Sequence, residues 1–301
     1  MCFRYWKTLP VIYWNWRGFV MDELKAWWIK KLSDEGDPNE WWGKKIAQLA
    51  KRDAYIVRVR GKASKLDNCE RENASYQYRM HLRLLIKQKN YYYEEEQIFP
   101  CRFGIKSGEI HQHHRVSALE RHQSHSNPKL PFERREKNDS RFEYDRLSAV
   151  QYAERWWNSY NPAYEHFDVD CTNYISQCLH AGGAPMHGAP VREKGWWYSG
   201  KSWSFSWSVA NAMRWYLSAA NNGLQGVAVE SADQLLPGDV ICYDFQGDGR
   251  WDHTTIVVNK DAYGMPLVNA HTDNSRNRYW TYEDSTAYTP EIQYKFFRIG
   301  E

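Results

Sequence analysis

The sequence predicts an α+β protein, and three features carry that prediction. A helix-patterned run, CTNYISQCLHAGG, opens at Cys171. After it come strand-patterned runs, VICYDF, HTTIVV, PLVNAHT and EIQYKFFRI, parted by Gly- and Pro-bearing turns. The N-terminal part carries helices and alternating runs of its own. A helix followed by a strand meander is a helix packed on an antiparallel sheet. The chain's 301 residues suffice for two such cores.

In the N-terminal module, residues 1–110, a helix is expected over 22–33, with Leu24, Trp27, Trp28 and Leu32 at helical spacing. SDEGDP breaks it, and Asp37-Pro38 starts a second helix running to about Arg52. AYIVRVRG alternates apolar and basic residues as a half-buried strand does. YQYRMHLRLLIKQ and YYYEEEQIFPCRFGI follow as strands, with Lys89-Asn90 placed to turn a hairpin between them. Residues 111–140 are polar, His-rich and aperiodic, and read as a linker. The third segment, 141–301, begins with a helix, DRLSAVQYAERWWNSYN, that presents Tyr152, Trp156 and Trp157 inward.

Charge divides along the same line. Residues 1–140 hold 27 Lys and Arg against 18 acids, a net +9; residues 141–301 hold 13 against 19, a net −6. The basic, Tyr-rich strands of the first module fit a polyanion partner such as a wall polymer or nucleic acid, while exposed cations opposite a sheet core are their ordinary explanation. No apolar run approaches the ~20 residues of a bilayer span. Residues 1–20 lack the h-region and cleavage site of a secretory signal, and Met21 opens a better helix start, so a cytoplasmic location is the default expectation. Six scattered cysteines without a C-x-x-C pair agree with a reducing compartment.

The chemistry is expected at Cys171. A helix start offers unpaired N–H groups that favour a thiolate. Asp170 stands at the N-cap position, with Thr172 and Asn173 in the first turn. Cys178, two turns deeper, and Cys242, inside VICYDF, fit inert core thiols. His253, just after the turn GDGRWD and at the start of HTTIVV, is the expected base.

DCTNYISQCLHAGG, then PGDVICYDFQGDGRWDHTTIVV, then NAHT resembles the putative amidase domain family over residues 141–298. That family is a branch of the papain-like superfamily that also holds the NlpC-type cell-wall peptidases and the CHAP amidases. The resemblance implies a cysteine-dependent hydrolase of amide or peptide bonds, with peptidoglycan-type peptides as substrate and no cofactor or metal. It implies acyl transfer, or an idle binding module on the same fold, as the alternatives. Folding the hairpin near residue 262 brings His271 opposite His253, which makes His271 the expected orienter, as in NlpC-type relatives. Asn269 is the alternative, after the Asn of papain-type enzymes. The oxyanion is assigned to the Cys171 backbone N–H, with Tyr160, Asn161 and Tyr164 as side-chain candidates. Where papain places a Gln, six residues before the nucleophile, this chain has Glu165.

Three weaker patterns have plain readings beside their functional ones. DFQGDGRWD has oxygen ligands at calcium-loop spacing from Asp244 to Asp252, but Thr255 occupies the twelfth place, and a Gly-rich turn explains it. His111, His113, His114, His122 and His125 lack the frame of a metal site and are expected in solvated linker. Trp196, Trp197, Trp203 and Trp207 suit either a cleft wall or a core.

Overall fold

The computed structural model describes residues 11–14, 19–33, 37–65, 75–116, 142–220 and 223–300. The body of the expected linker, 117–140, with His122 and His125, lies outside them. The architecture is α+β and mostly antiparallel, with six α-helices among the described residues. None of these is long and apolar enough to cross a membrane.

Two compact units form. The first takes the chain up to residue 116 together with Thr281–Ala287, and the second takes 142–280 and 288–300. The expected single span 141–301 is therefore interrupted by seven residues that fold with the first unit, an excursion no local pattern announces.

In the first unit, α1 (Phe19–Ser33) buries Leu24, Trp28 and Leu32, one turn apart. The second helix, α2 (Trp41–Lys51), starts later than Pro38 because residues 37–40 form a turn, in which Asn39 N–H donates to Asp37 Oδ1 at 2.8 Å. That turn presses on Gly43, where an added Cβ would lie 2.1 Å from the Asp37 carbonyl oxygen. β1 (Val11–Trp14) pairs in parallel with β2 (Ala54–Lys65). β2, β3 (Ser75–Gln88), β4 (Tyr91–Lys106) and β5 (Glu109–Arg115) then form an antiparallel meander. Gln88 pairs with Tyr91, so Lys89-Asn90 is the two-residue turn. One sheet face buries Tyr78, Met80, Leu82, Leu84 and Ile86 at strand period.

Residues 111–115, read as the start of the linker, belong to β5. A register shift between Arg102 and Gly104, with Gln112 at φ 51°, re-aims the strand. His113 consequently turns inward. Its Nε2 lies 2.5 Å from Tyr78 Oη and its ring 3.8 Å from that of Trp27. The side chain is half-buried, and burial pushes its imidazole down to about 3. Lys45, which is fully buried, is matched by Glu95 at 2.7 Å and Asp284 at 3.0 Å. Buried charge is tolerated only with such partners.

The second unit has a six-stranded sheet in the order β12-β11-β10-β9-β13-β8. These are β8 (Gly226–Val229), β9 (Val240–Asp244), β10 (His253–Lys260), β11 (Pro266–Ala270), β12 (Ser275–Tyr279) and β13 (Gln293–Ile299). The strand patterns located β9, β10, β11 and β13; β8 and β12 were too short or too polar to stand out. A two-stranded ribbon, β6 (Tyr198–Ser199) with β7 (Ser202–Trp203), lies apart.

On one face of this sheet lie α3 (Arg146–Trp156), α4 (Cys171–Ala181), α5 (Phe205–Ser208) and α6 (Ala210–Ala219). The helix expected over 206–220 is broken at Val209, whose backbone is extended. Asp145 caps α3 through the Ser148 N–H at 3.1 Å. The residues of α3 that pack inward are Ala149 and Ala153, with Tyr152 and Trp156 half-buried at the edge. Ile175, Cys178 and Leu179 of α4 meet Val240, Cys242 and Ile256 of the sheet in one apolar core. Cys178 and Cys242 are therefore the inert thiols their sequence context predicts. Trp196, Trp197 and Trp207 are also core, which removes them from a cleft wall; Trp203 alone of the four is half-buried.

Candidate active site

Cys171 opens α4 and is 2 % exposed. Its sulfur lies 3.7 Å from Thr172 Oγ1, and the Thr254 backbone N–H is directed at it. Thr172 Oγ1 in turn lies 3.1 Å from Thr254 Oγ1, tying the helix start to the start of β10. Burial pushes the thiol above its usual range, while the Thr172 and Thr254 donors pull it back and the neighbouring Asp170 charge raises it further. The resting sulfur is thus a neutral thiol with two donors already facing the anion it can become.

Asp170 stands at the N-cap but does not cap α4 with its side chain. The carboxylate is buried and used elsewhere. Oδ1 accepts from Phe167 N–H at 3.1 Å and Asn173 Nδ2 at 2.8 Å, and Oδ2 lies 2.7 Å from His271 Nδ1. His271 Nε2 lies 2.8 Å from the Trp156 carbonyl oxygen, and its ring stacks on Tyr174 at 3.9 Å. Both ring nitrogens therefore face oxygen atoms beside α4. Thr272, the next residue, takes φ 88°, a conformation a β-branched residue rarely adopts. Its Oγ1 accepts the Asp170 N–H at 3.3 Å. Backbone strain held this way marks a position that the surroundings enforce.

Asn173 completes the network. Its Nδ2 also donates to the Glu165 carbonyl at 2.9 Å, and its Oδ1 accepts from Trp207 Nε1 at 2.8 Å. The loop before Cys171 is thereby fastened to the helix. Glu165, at papain's glutamine position, contributes backbone only: its N–H donates to Tyr198 Oη at 2.7 Å, and its side chain is exposed.

His253 pairs with Tyr243, and its ring lies 5.6 Å from Tyr243 and 6.1 Å from Phe245. Tyr243 Oη lies 3.2 Å from Thr255 Oγ1 on that same face. Thr254 and Cys242, the intervening pair, face α4 instead. Strand alternation thus puts the His253 side chain on the sheet face away from α4. Burial, with the nearby Arg278 charge, pushes its imidazole down to about 3. Among the described residues no hydrogen bond joins the Cys171 sulfur to either imidazole.

The hairpin register explains why the two histidines part. Ile256 pairs with Asn269, so two steps further His271 falls opposite Thr254 rather than His253. A shift of one residue moves a side chain to the other face. His271 consequently holds Asp170 and Trp156, not His253. Asn269 faces α3, where its Nδ2 donates to Glu154 Oε1 at 2.9 Å and its Oδ1 accepts from Asn277 N–H at 2.9 Å.

The oxyanion candidates differ in employment. Asn161 donates to Tyr152 Oη at 2.8 Å and accepts from Ala163 N–H at 3.0 Å, so it builds the loop. Tyr164 packs on Tyr198 and Trp207 at 5.0 and 5.8 Å. Tyr160 is 42 % exposed, with its ring 5.0 Å from that of His271. The calcium-like turn closes on itself: the Asp244 carboxylate accepts N–H groups from Gly247, Asp248 and Gly249 at 2.8, 3.3 and 2.7 Å. A carboxylate filled with N–H donors is not turned toward a cation. No group of three or more His, Cys, Asp or Glu suited to a metal occurs among the described residues.

Sequence reasoning missed the roles of Asp170, Asn173 and Thr254. The i, i+3 spacing of Asp170 and Asn173 was a usable signal, because it places both on one side of the first helical turn.

Two curated relatives match. The chain is 64 % identical over 167 residues to the uncharacterized protein YhbB of Bacillus subtilis (strain 168), covering 56 % of this chain and 54 % of that protein. It is 30 % identical over 142 residues to the uncharacterized protein YjcM of the same strain, covering 44 % and 32 %. The chain thus spans about half or less of the length of these relatives. No solved structure matches. The model of the putative amidase domain matches residues 143–297, which contain α3, α4 and the strand meander. On that match, which covers more than half of its residues, the chain belongs to the putative amidase domain family.

Proposed function

We propose that residues 142–300 form a papain-like cysteine amidase with Cys171 as nucleophile. The observation that carries this reading is the sulfur's position at the first residue of α4, between the Thr172 hydroxyl and the Thr254 N–H. Both groups stabilise a thiolate as it forms. His253, the residue before Thr254, serves as base. As the first residue of β10 it sits at the strand's end, and reaction requires its ring to leave Tyr243 and Phe245 and swing toward the helix start. Catalytic hydrogen bonds often form only once substrate is bound.

The imidazole takes the thiol proton as sulfur bonds to the amide carbonyl carbon. The tetrahedral oxyanion forms near the Cys171 N–H, with Tyr160 as the side-chain donor. His253 then protonates the departing amine, the C–N bond breaks, and a thioester remains. Water, losing a proton to the same imidazole, attacks the thioester and releases the acid and the thiol. His271 and Asp170 act as positioning residues for the helix start. The resemblance to cell-wall peptidases supports a peptide amide of the peptidoglycan type as substrate.

The test is turnover of peptidoglycan-type peptides, with products weighed by mass spectrometry. Wild type is expected to release acid and amine, while Cys171→Ser and His253→Ala lose at least ~100-fold in rate. Unchanged turnover in Cys171→Ser sinks the cysteine mechanism, and unchanged turnover in His253→Ala removes that base. Products joined to an added amine identify acyl transfer instead. Binding of the peptide without any turnover identifies an idle binding module.

A further inference from the structure

Two arginines of the second unit hold carboxylates: Arg146 meets Asp239 at 2.6 Å, and Arg276 meets Glu154 at 2.5 Å. Arg214, on α6, makes no ion pair among the described residues, although acids outnumber bases in residues 141–301. Its guanidinium is stacked on indoles instead. The Cζ lies 3.7 Å from the centre of the Trp215 ring and 5.1 Å from that of Trp251. Asn211 ties the second indole to the helix, its Oδ1 accepting the Trp251 N–H at 3.3 Å. Asn211, Arg214 and Trp215 share one side of α6 at i, i+3 and i+4. Trp251 is buried, Trp215 is 41 % exposed, and Arg214 is half-buried.

One edge of the guanidinium is closed and the other is open. Nε is buried and has no hydrogen-bond partner. Nη1 makes a single long bond, to Ser218 Oγ at 3.4 Å, and Nη2 makes none among the described residues. Burial pushes the group below its usual range, and no carboxylate offsets that. A cation taken partly out of water without a counter-charge costs free energy. Its planar pair of donors matches the two oxygens of a carboxylate.

The open edge is within a short peptide's reach of the thiol. Trp251 stands three residues before Thr254, whose N–H faces the Cys171 sulfur. The Trp251 and Thr254 Cα atoms are therefore at most ~11 Å apart, a span that an extended peptide covers in about three residues. Cys242 pairs with Thr254, and its thiol feels both groups: burial raises it, the Arg214 charge lowers it, and Cys171 raises it further.

We propose that Arg214 is a specificity-determining residue whose Nη1–Nη2 edge binds a carboxylate of the amide substrate, within about three residues of the bond that Cys171 attacks. The position of that bond rests on the cysteine chemistry proposed above; the carboxylate site itself does not. An acidic side chain and a free C-terminus present the same two oxygens.

The probes are acetylated tetraalanine as the free acid, the same peptide as its C-terminal amide, and that amide with one Glu at each position in turn. Turnover by the full chain is followed by mass spectrometry. At least one carboxylate peptide is expected to exceed the neutral amide by about 10- to 100-fold in kcat/KM, chiefly through KM, as hydrogen bonds to a charged group imply. The preferred peptide tells a C-terminus from a side chain. Arg214→Gln should erase the difference, and Arg214→Lys, which keeps the charge but not the planar pair of donors, should retain only part of it. The wild-type comparison of acid with amide decides the matter even should a variant fail to fold. Absence of turnover counts against the cysteine reading rather than the carboxylate site. The same peptides are then titrated by calorimetry against Cys171→Ala, where tighter binding of a carboxylate peptide by the same ratio supports the site. Equal kcat/KM across the peptides, a preference that survives Arg214→Gln, or equal or absent binding in the calorimeter overturns the proposal and leaves the guanidinium as packing between two indoles.

Discussion

The Asp170 carboxylate lies 2.7 Å from His271 Nδ1, with both side chains 2 % exposed, and Asp170 directly precedes the thiol residue Cys171. This pair links the start of α4 to the end of β11. Asp170→Ala leaves the buried His271 Nδ1 without its hydrogen-bond partner and is expected to cost about 1–3 kcal/mol, the penalty of leaving a buried polar group unsatisfied. Asp170→Asn keeps an acceptor for Phe167 N–H and supplies a donor toward His271 Nδ1, so it should cost less than half as much. Denaturant unfolding of the two variants measures the difference. Equal losses would show that packing, not the pair, holds the helix start.

The Cys171 thiol is raised above its usual range by burial and lowered by its Thr172 and Thr254 donors. Alkylation of the resting protein by iodoacetamide should therefore inflect at higher pH than alkylation of an exposed cysteine. Thr172→Val removes one donor at similar volume and should move the inflection higher still, slowing alkylation at neutral pH several-fold. Peptide mapping across a pH series reads this directly, and an inflection below that of a free thiol contradicts it.

His253 falls to about 3 on folding, against ~6.5 for an exposed histidine. The folded state then binds this proton more weakly than the unfolded chain does. Its contribution is intact above pH ~6.5 and is lost as pH drops toward 3. The total is at most about 4–5 kcal/mol. Asp252, raised to about 6 by burial, works in the opposite sense over an overlapping range. The useful quantity is therefore the difference between wild type and His253→Gln. That difference should shrink between pH 7 and pH 4 in urea unfolding, and a constant difference would exclude a buried neutral ring.

Lys45 meets Glu95 at 2.7 Å and Asp284 at 3.0 Å inside the first unit. Lys45→Met strands two carboxylates in an apolar setting and should destabilise by about 3–5 kcal/mol. Adding Glu95→Gln and Asp284→Asn should recover most of that loss, because the uncompensated charge disappears. Failure of the triple variant to recover would assign the cost to the lysine's packing.

Much of this architecture was legible locally. The period of Leu24, Trp28 and Leu32 marked α1, the alternation from Tyr78 to Ile86 marked β3, and the Lys89-Asn90 turn set the β3–β4 register. The core roles of Cys178 and Cys242 followed from neighbours in their own elements. The linker reading failed at His113 because the bulge opposite Arg102–Gly104 turned a polar-looking residue inward. Thr281–Ala287 joined the other unit through partners distant in sequence, among them Lys45.

The sequence by itself determined that a thiol would begin a helix and that imidazoles would stand at the ends of two strands, because those are properties of short segments. Only the tertiary structure decided which side of the sheet each imidazole occupies. The turn at Asp261 is closed by its Oδ1 accepting the Tyr263 and Met265 N–H groups, both at 2.9 Å, and a bulge lies between Val257 and Asn259. Together they set the pairing one residue away from symmetric folding. Successive strand residues alternate sides, so that single step carries His271 to Asp170 and leaves His253 against Tyr243.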